Sequence, residues 1–194
     1  MGRVIDFPRR TRAFGTDYKF TGQTQKAEPI ARIDPLVLEV SETLRAADPL
    51  LAPNSAALLN FYDAARGKYI GAHSDDERAL VKDSPVISLS WCSQGHHRRF
   101  RFTARKGITD ALLPSWGAAP GVLLLRDGCL VVMGGQCQRT HRHELMKPTK
   151  TTGESKGQRI NLTLRSFEQQ AAGRSSESGR APLLAKRKRE SGPH

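Results

Sequence analysis

The sequence predicts a mainly β protein of the sandwich or jelly-roll type, and three observations predict it. Short apolar or alternating runs recur at 57–63, 68–74, 86–90, 98–103, 122–125, 129–133 and 159–165. Turn-forming stretches such as Ala64-Ala65-Arg66-Gly67 and Arg126-Asp127-Gly128 stand between them. Sustained helical spacing is clearest in one stretch, so the helices flank the sheets.

Residues 3–30 are basic and aromatic, with Gly15 and Gly22 as breaks, and read as short strands and turns. Phe14, Tyr18 and Phe20 alternate with Arg12 and Lys19, which suits base stacking beside phosphate contacts. Phe14 suits the edge of a core equally well. The helix opens at Asp34-Pro35, an N-cap followed by a proline at the first helical position. Leu36, Val40, Leu44 and Ala47 continue it at helical spacing, and Asp48-Pro49 ends it.

In the next strand Asn60 and Tyr62 lie two apart and share a face, as two contacts to one small ligand require. The stretch Tyr69-Ile70-Gly71-Ala72-His73-Ser74-Asp75-Asp76-Glu77 follows. Read as strand, it points His73 and Asp75 to one side. An imidazole and a carboxylate there are two thirds of the facial set that holds non-haem Fe(II). A surface turn is the plainer account of an isolated His-x-Asp. The third ligand has two candidates, His141 and His143, which share a strand face. A zinc site from Cys129, Cys137, His141 and His143 is a rival, but no paired Cys-x-x-Cys spacing supports it. Arg98-Arg99-Phe100-Arg101-Phe102-Thr103 alternates basic and aromatic residues, so one face packs while Arg99 and Arg101 meet phosphate or plain solvent.

Arg159-Ile160-Asn161-Leu162-Thr163-Leu164-Arg165 alternates without a break. Such a strand ordinarily turns its polar side to water. The functional alternative is a dicarboxylate site, because the planar guanidinium gives a carboxylate two parallel hydrogen bonds.

The 194 residues suffice for one domain with a real core plus a tail. The expected division is an entry segment at 1–33, a core at 34–167 and a disordered basic tail at 168–194, rich in Ser, Gly and charge. A formal charge of +12 favours polyanions. Three scattered cysteines argue for a reducing compartment. No signal-peptide core and no membrane-length apolar run is present. A nuclear or cytoplasmic, non-secreted monomer is expected. Lys186-Arg187-Lys188-Arg189 reads as an import signal, a phosphate patch or a solubilising tail.

His-x-Asp, a later His, and Arg-x-Asn-x-Thr-x-Arg stand in an order that resembles the AlkB family of Fe(II)- and 2-oxoglutarate-dependent dioxygenases. Leu59-Asn60-Phe61-Tyr62 is similar to the family's Asn-x-Tyr element. Pro8-Arg9-Arg10, Phe14-Gly15 and Tyr18-Lys19-Phe20-Thr21-Gly22 resemble the entry segment of its nucleic-acid repair members. The likeness runs from about Phe7 to Phe167 and implies a double-stranded β-helix, a form of jelly roll. It implies that His73, Asp75 and His143 hold iron. His143 is preferred because the family's ligand is followed shortly by Leu or Val, ten residues after the Met matched by Met133. It further implies that Arg159, Tyr62 and Asn161 bind the far carboxylate of 2-oxoglutarate, and that Arg165 and Asn60 bind the carboxylate beside the keto group. Asp76 would meet the amino edge of the base, and Phe20 would stack on it, with Tyr18 as second choice. The chain departs from the pattern at 88–97 and 148–158, which are longer than expected, and in starting close to the entry segment, which makes a duplex-opening wedge doubtful.

The implied activity is oxidative dealkylation of N1-methyladenine or N3-methylcytosine in single-stranded DNA or RNA, with O2 as second co-substrate and formaldehyde, succinate and CO2 as products. Rivals are a regulatory RNA demethylase of the same family, a protein hydroxylase, and a non-catalytic nucleic-acid-binding module on the same fold. A pure binder has no need of a complete metal and dicarboxylate set.

Overall fold

The structure, a computed structural model, describes residues 9–20, 23–51, 55–108, 119–150, 154 and 156–168, with Phe20, Gln23 and Leu50 placed by backbone alone. The predicted tail beyond Glu168, with its Lys186–Arg189 run, lies outside the described residues, as do Pro8, Thr21 and Gly22.

Two antiparallel sheets carry the fold. The larger has the order β1 (Arg10–Phe14), β4 (Ala56–Asp63), β11 (Gln158–Arg165), β6 (Val86–Cys92), β9 (Leu130–Met133). The smaller has the order β5 (Ile70–His73), β10 (His141–Leu145), β7 (Arg98–Ala104), β8 (Val122–Leu125). A hairpin pairs β2 (Tyr18–Phe20) with β3 (Gln23–Gln25). Sequence neighbours are often not sheet neighbours, as the jelly-roll winding requires.

One apolar cluster draws residues from both sheets: Tyr62, Val86 and Met133 from the larger, Phe100, Leu125 and Leu145 from the smaller. It is the filling of the sandwich. A second cluster lies on the outer face of the larger sheet, where helix α1 (Pro35–Ala47) lays Val37 against Ile87, Leu162 and Leu164. The helix begins as its sequence predicts: the Asp34 side chain accepts a hydrogen bond from the Leu36 amide, with proline at the first helical position. A four-residue turn of helix, α2 (Cys137–Thr140), leads into β10. Among the described residues no helix is long and apolar enough to cross a membrane.

Strand β11 is central. It pairs along its length with β4 and with β6, setting Arg159 beside Tyr62 and Asn161 beside Asn60. Its polar face is the inner one: Arg159, Asn161, Thr163 and Arg165 are all buried. The solvated-face reading of this alternation is therefore overturned, because α1 covers Leu162 and Leu164 on the other side.

Gly15 turns the chain after β1 at φ +82°, and a Cβ there would overlap the Ser55 carbonyl oxygen. Gly15→Ala is expected to lower stability by about 2 kcal/mol or more, combining left-handed strain with a backbone clash. Gly67 has φ +66°, but a methyl group added there would meet nothing within 4 Å. Gly67→Ala should lose only the strain, about 1 kcal/mol. Urea midpoints of the two variants check the difference.

Candidate metal and dicarboxylate site

Strand β5 ends at His73, and β10 places His143 directly opposite it. The sequence predicts β structure through Asp75, but Asp75 lies two residues beyond the strand. Long-range side chains replace the ladder there. The Asp75 amide donates to Gln138 Oε1 at 2.9 Å, and Ser74 Oγ donates to the His141 carbonyl at 2.8 Å. One ligand atom from each of His73, Asp75 and His143 then falls within 4.8 Å of the others.

The protonation states of this group suit a metal. His73 Nδ1 lies 2.8 Å from the Gly71 carbonyl oxygen, which can only accept. Nδ1 is therefore the donor, and Nε2 is the nitrogen left to face a metal. Burial pushes the His143 pKa down to about 4, against the opposing pull of Asp75, so the ring is neutral at pH 7. Burial would raise the Asp75 carboxyl, but the charge of Arg165 above all holds it below the ordinary carboxylate range. Two imidazoles and one carboxylate match the donor set of a facial Fe(II) site. His141 shares the strand face but sits one repeat away, its Nδ1 2.8 Å from the Thr140 hydroxyl. It lines a separate groove with Cys129 and Cys137. Among the described residues those three do not join the convergent group.

The inner face of β11 supplies the rest of the cavity. Arg159 is buried, donating through Nε and Nη2 to Ser90 Oγ at 3.1 and 2.9 Å, with its guanidinium 5.4 Å from the Tyr62 ring centre. Burial lowers its pKa to about 10, which leaves it charged. A buried cation whose company is a hydroxyl and a ring calls for an anion. Asn161 is held by side-chain hydrogen bonds on both its amide atoms. Its Nδ2 donates to Ser88 Oγ at 2.8 Å, and its Oδ1 accepts from Thr163 Oγ1 at 3.0 Å and Asn60 Nδ2 at 3.2 Å. Asn60 and Asn161 line the cavity, but their amides hold each other and the strands. Arg165 donates to Asp75, and to Glu77 at 3.2 Å. Its Nε has no partner among the described residues.

At the mouth, the Tyr18 ring has the Arg9 guanidinium at 6.0 Å and that of Arg165 at 5.7 Å. The Phe20 side chain lies outside the described residues. Asp76 is exposed and pairs with Arg105 at 3.3 Å. Arg99 Nε is 3.0 Å from Glu154, and Arg101 Nε is 2.6 Å from Glu144, so carboxylates match the basic run of β7. Residues to which sequence reasoning gives no role include Arg9, Ser88, Ser90 and Gln138, all at or behind the cavity. The alternation Ser88-x-Ser90 inside an apolar strand is the available signal for two of them.

His143 yields a pH prediction for the metal-free protein. Its folded pKa, about 4, lies below the ordinary 6.5. Between those values the unfolded chain takes up a proton that the folded chain does not. Its contribution is complete above pH 6.5 and lost as pH falls toward 4, reaching roughly 2 kcal/mol lost at pH 5. With chelator present, urea unfolding at pH 7.5 and pH 5 should show a larger drop for the unaltered protein than for His143→Gln.

Comparison with known proteins bears on this geometry. The profile of the 2OG-Fe(II) oxygenase superfamily matches residues 7–165. No curated protein matches the sequence. Solved structures do match, among them a bsmA homolog from Methylobium petroleophilum PM1, at 13% identity and a TM-score of 0.37. That match covers 80% of this chain and 63% of the other, so the chain spans less than two thirds of that protein's length. The profile match takes in both halves of the cavity and most of the sequence: the chain belongs to the 2OG-Fe(II) oxygenase superfamily, whose cofactors are Fe(II), 2-oxoglutarate and O2.

Proposed function

We propose that this oxygenase removes alkyl groups from N-alkylated bases, of the N1-methyladenine and N3-methylcytosine type, in single-stranded DNA or RNA. One observation carries the reading. The stretch that resembles the entry segment of nucleic-acid repair enzymes brings Arg9 and Tyr18 onto the cavity, beside His73 and Asp75. An aromatic ring at the mouth, that of Tyr18, suits stacking on a flat base. The exposed Asp76 carboxylate next to Asp75 suits the positive charge of such bases, on a protein otherwise of formal charge +12.

In this reading His73, Asp75 and His143 hold Fe(II). Arg159 and Tyr62 receive the far carboxylate of 2-oxoglutarate, with Ser90 orienting the guanidinium. Arg165 fixes Asp75 and keeps one N–H for the carboxylate beside the keto group. Asn60 and Asn161 hold the two central strands in register beneath it. Fe(II) with 2-oxoglutarate and O2 supplies the oxidation that converts the N-methyl carbon to N-hydroxymethyl, leaving succinate and CO2. The hydroxymethyl group then departs as formaldehyde and the ring nitrogen is restored. The base must leave its stack to reach the site, and a lesion on the pairing edge lowers that cost. Arg99 and Arg101 contribute to the strand's path only to the extent that their carboxylate partners release them.

Single-stranded oligonucleotides carrying either lesion should release formaldehyde with Fe(II), ascorbate and 2-oxoglutarate, and not with His143→Ala. Parallel DNA and RNA arms separate repair from an RNA-directed role. Succinate formation without formaldehyde from any base substrate would sink the substrate assignment and leave the oxygenase. Arg159→Leu should raise the half-saturating 2-oxoglutarate concentration at least about tenfold, the loss of a charged hydrogen bond, while retaining the metal.

A further inference from the structure

The charges lining the cavity do not balance. Arg165 is matched by Asp75 and Glu77. Among the described residues, the hydrogen-bond partners of Arg159 and Arg9 are neutral groups. Arg9 Nε donates to Asn60 Oδ1 at 2.8 Å and its Nη2 to the Tyr18 hydroxyl at 3.1 Å. A guanidinium has five N–H donors, so donors remain after both contacts. The position of Arg9 follows from the strand register. β1 pairs with β4, with Arg10 opposite Phe61 and Thr11 opposite Asn60. Arg10 lies over the Phe61 ring on the outer face, at 5.7 Å. Alternation then turns Arg9 inward, toward Asn60 and Tyr62. Its charge is felt both by Asp75 and by Tyr62, which line the same cavity.

The geometry points to Arg9 as a further 2-oxoglutarate contact, a latch lying across the dianion between the His73–Asp75–His143 group and Arg159. This rests on those residues as the metal and far-carboxylate sites. Asn60, which holds Arg9, lines the same cavity as the His73–Asp75–His143 group and Arg159. Arg9 neutralises what Arg165, its charge already matched by two carboxylates, does not. It also belongs to the entry segment, so filling the co-substrate site ties that segment down before a nucleic acid arrives.

The test is binding of N-oxalylglycine, a non-reacting 2-oxoglutarate analogue, to the full chain loaded with Mn(II), followed by calorimetry. Arg9→Gln should weaken binding about tenfold, with Arg9→Lys between it and the unaltered protein. Mn(II) affinity should stay within about twofold in both. Trypsin cleavage at Arg10 and Arg12 should slow on adding the analogue to the unaltered protein, and not with Arg9→Gln. Unchanged analogue affinity in Arg9→Gln, with weakened binding of a single-stranded oligonucleotide, would overturn the proposal and assign Arg9 to a substrate phosphate. Failure of the unaltered protein to bind the analogue would overturn the cavity assignment itself. Arg159→Leu distinguishes the two failures, since it weakens the analogue's binding at least about tenfold where the cavity assignment holds.

Discussion

The ion pair between Arg165 and Asp75 joins the two halves of the site. It connects the last residue of the central strand to a loop beyond the far sheet. Both groups are buried, and a buried charge without a partner is costly by several kcal/mol. Neither can therefore be placed independently. Strand β11 must enter the sandwich polar face inward, and the loop after β5 must come within reach of its end. Glu77 adds a second carboxylate to the same guanidinium, which lets Asp75 keep an oxygen directed at the histidines. The Asn60–Asn161 pair and the two serines of β6 extend this polar seam to Arg159. A β-sandwich core is normally apolar throughout. Here its apolar residues are displaced to one side, around Phe100, Leu125 and Met133, and a polar strip is preserved beside them.

That strip is half legible in the sequence. The alternation at 159–165 identifies a strand, and the Asp34-Pro35 cap identifies the helix, because both signals are local. Which face of the strand turns inward is not local. It depends on α1, more than a hundred residues earlier, covering Leu162 and Leu164. The same distinction separates the remaining agreements and departures. Asp75 leaves the predicted strand because its amide is taken by Gln138, 63 residues away. Arg99 and Arg101 look like free cations in the sequence because Glu154 and Glu144 lie 55 and 43 residues off. His141 and His143 are equivalent by spacing and are separated only by what stands across from each: Ala104 for one, His73 and Phe102 for the other.

The electrostatic character of the molecule is also redistributed by folding. A formal charge of +12 suggests an evenly basic surface. Within the described residues several arginines are spent on carboxylates, at Arg12–Glu28, Arg99–Glu154, Arg101–Glu144, Arg105–Asp76 and Arg139–Asp83. Most of these pairs are partly exposed and add little to stability. Two of them compensate the basic run of β7, whereas Arg9 and Arg159 in the cavity bond to amide and hydroxyl groups among the described residues.

Strand β1 has one more consequence. It covers the edge of the larger sheet, hydrogen-bonded along the whole of its five residues to β4. Remove it, and β4 becomes a long open edge of apolar residues, the kind of template on which other chains add strands. The segment that approaches the cavity thus also closes this edge of the sheet. Its backbone path is constrained by solubility, and adaptation to a different substrate is confined to side chains and to the hairpin that follows.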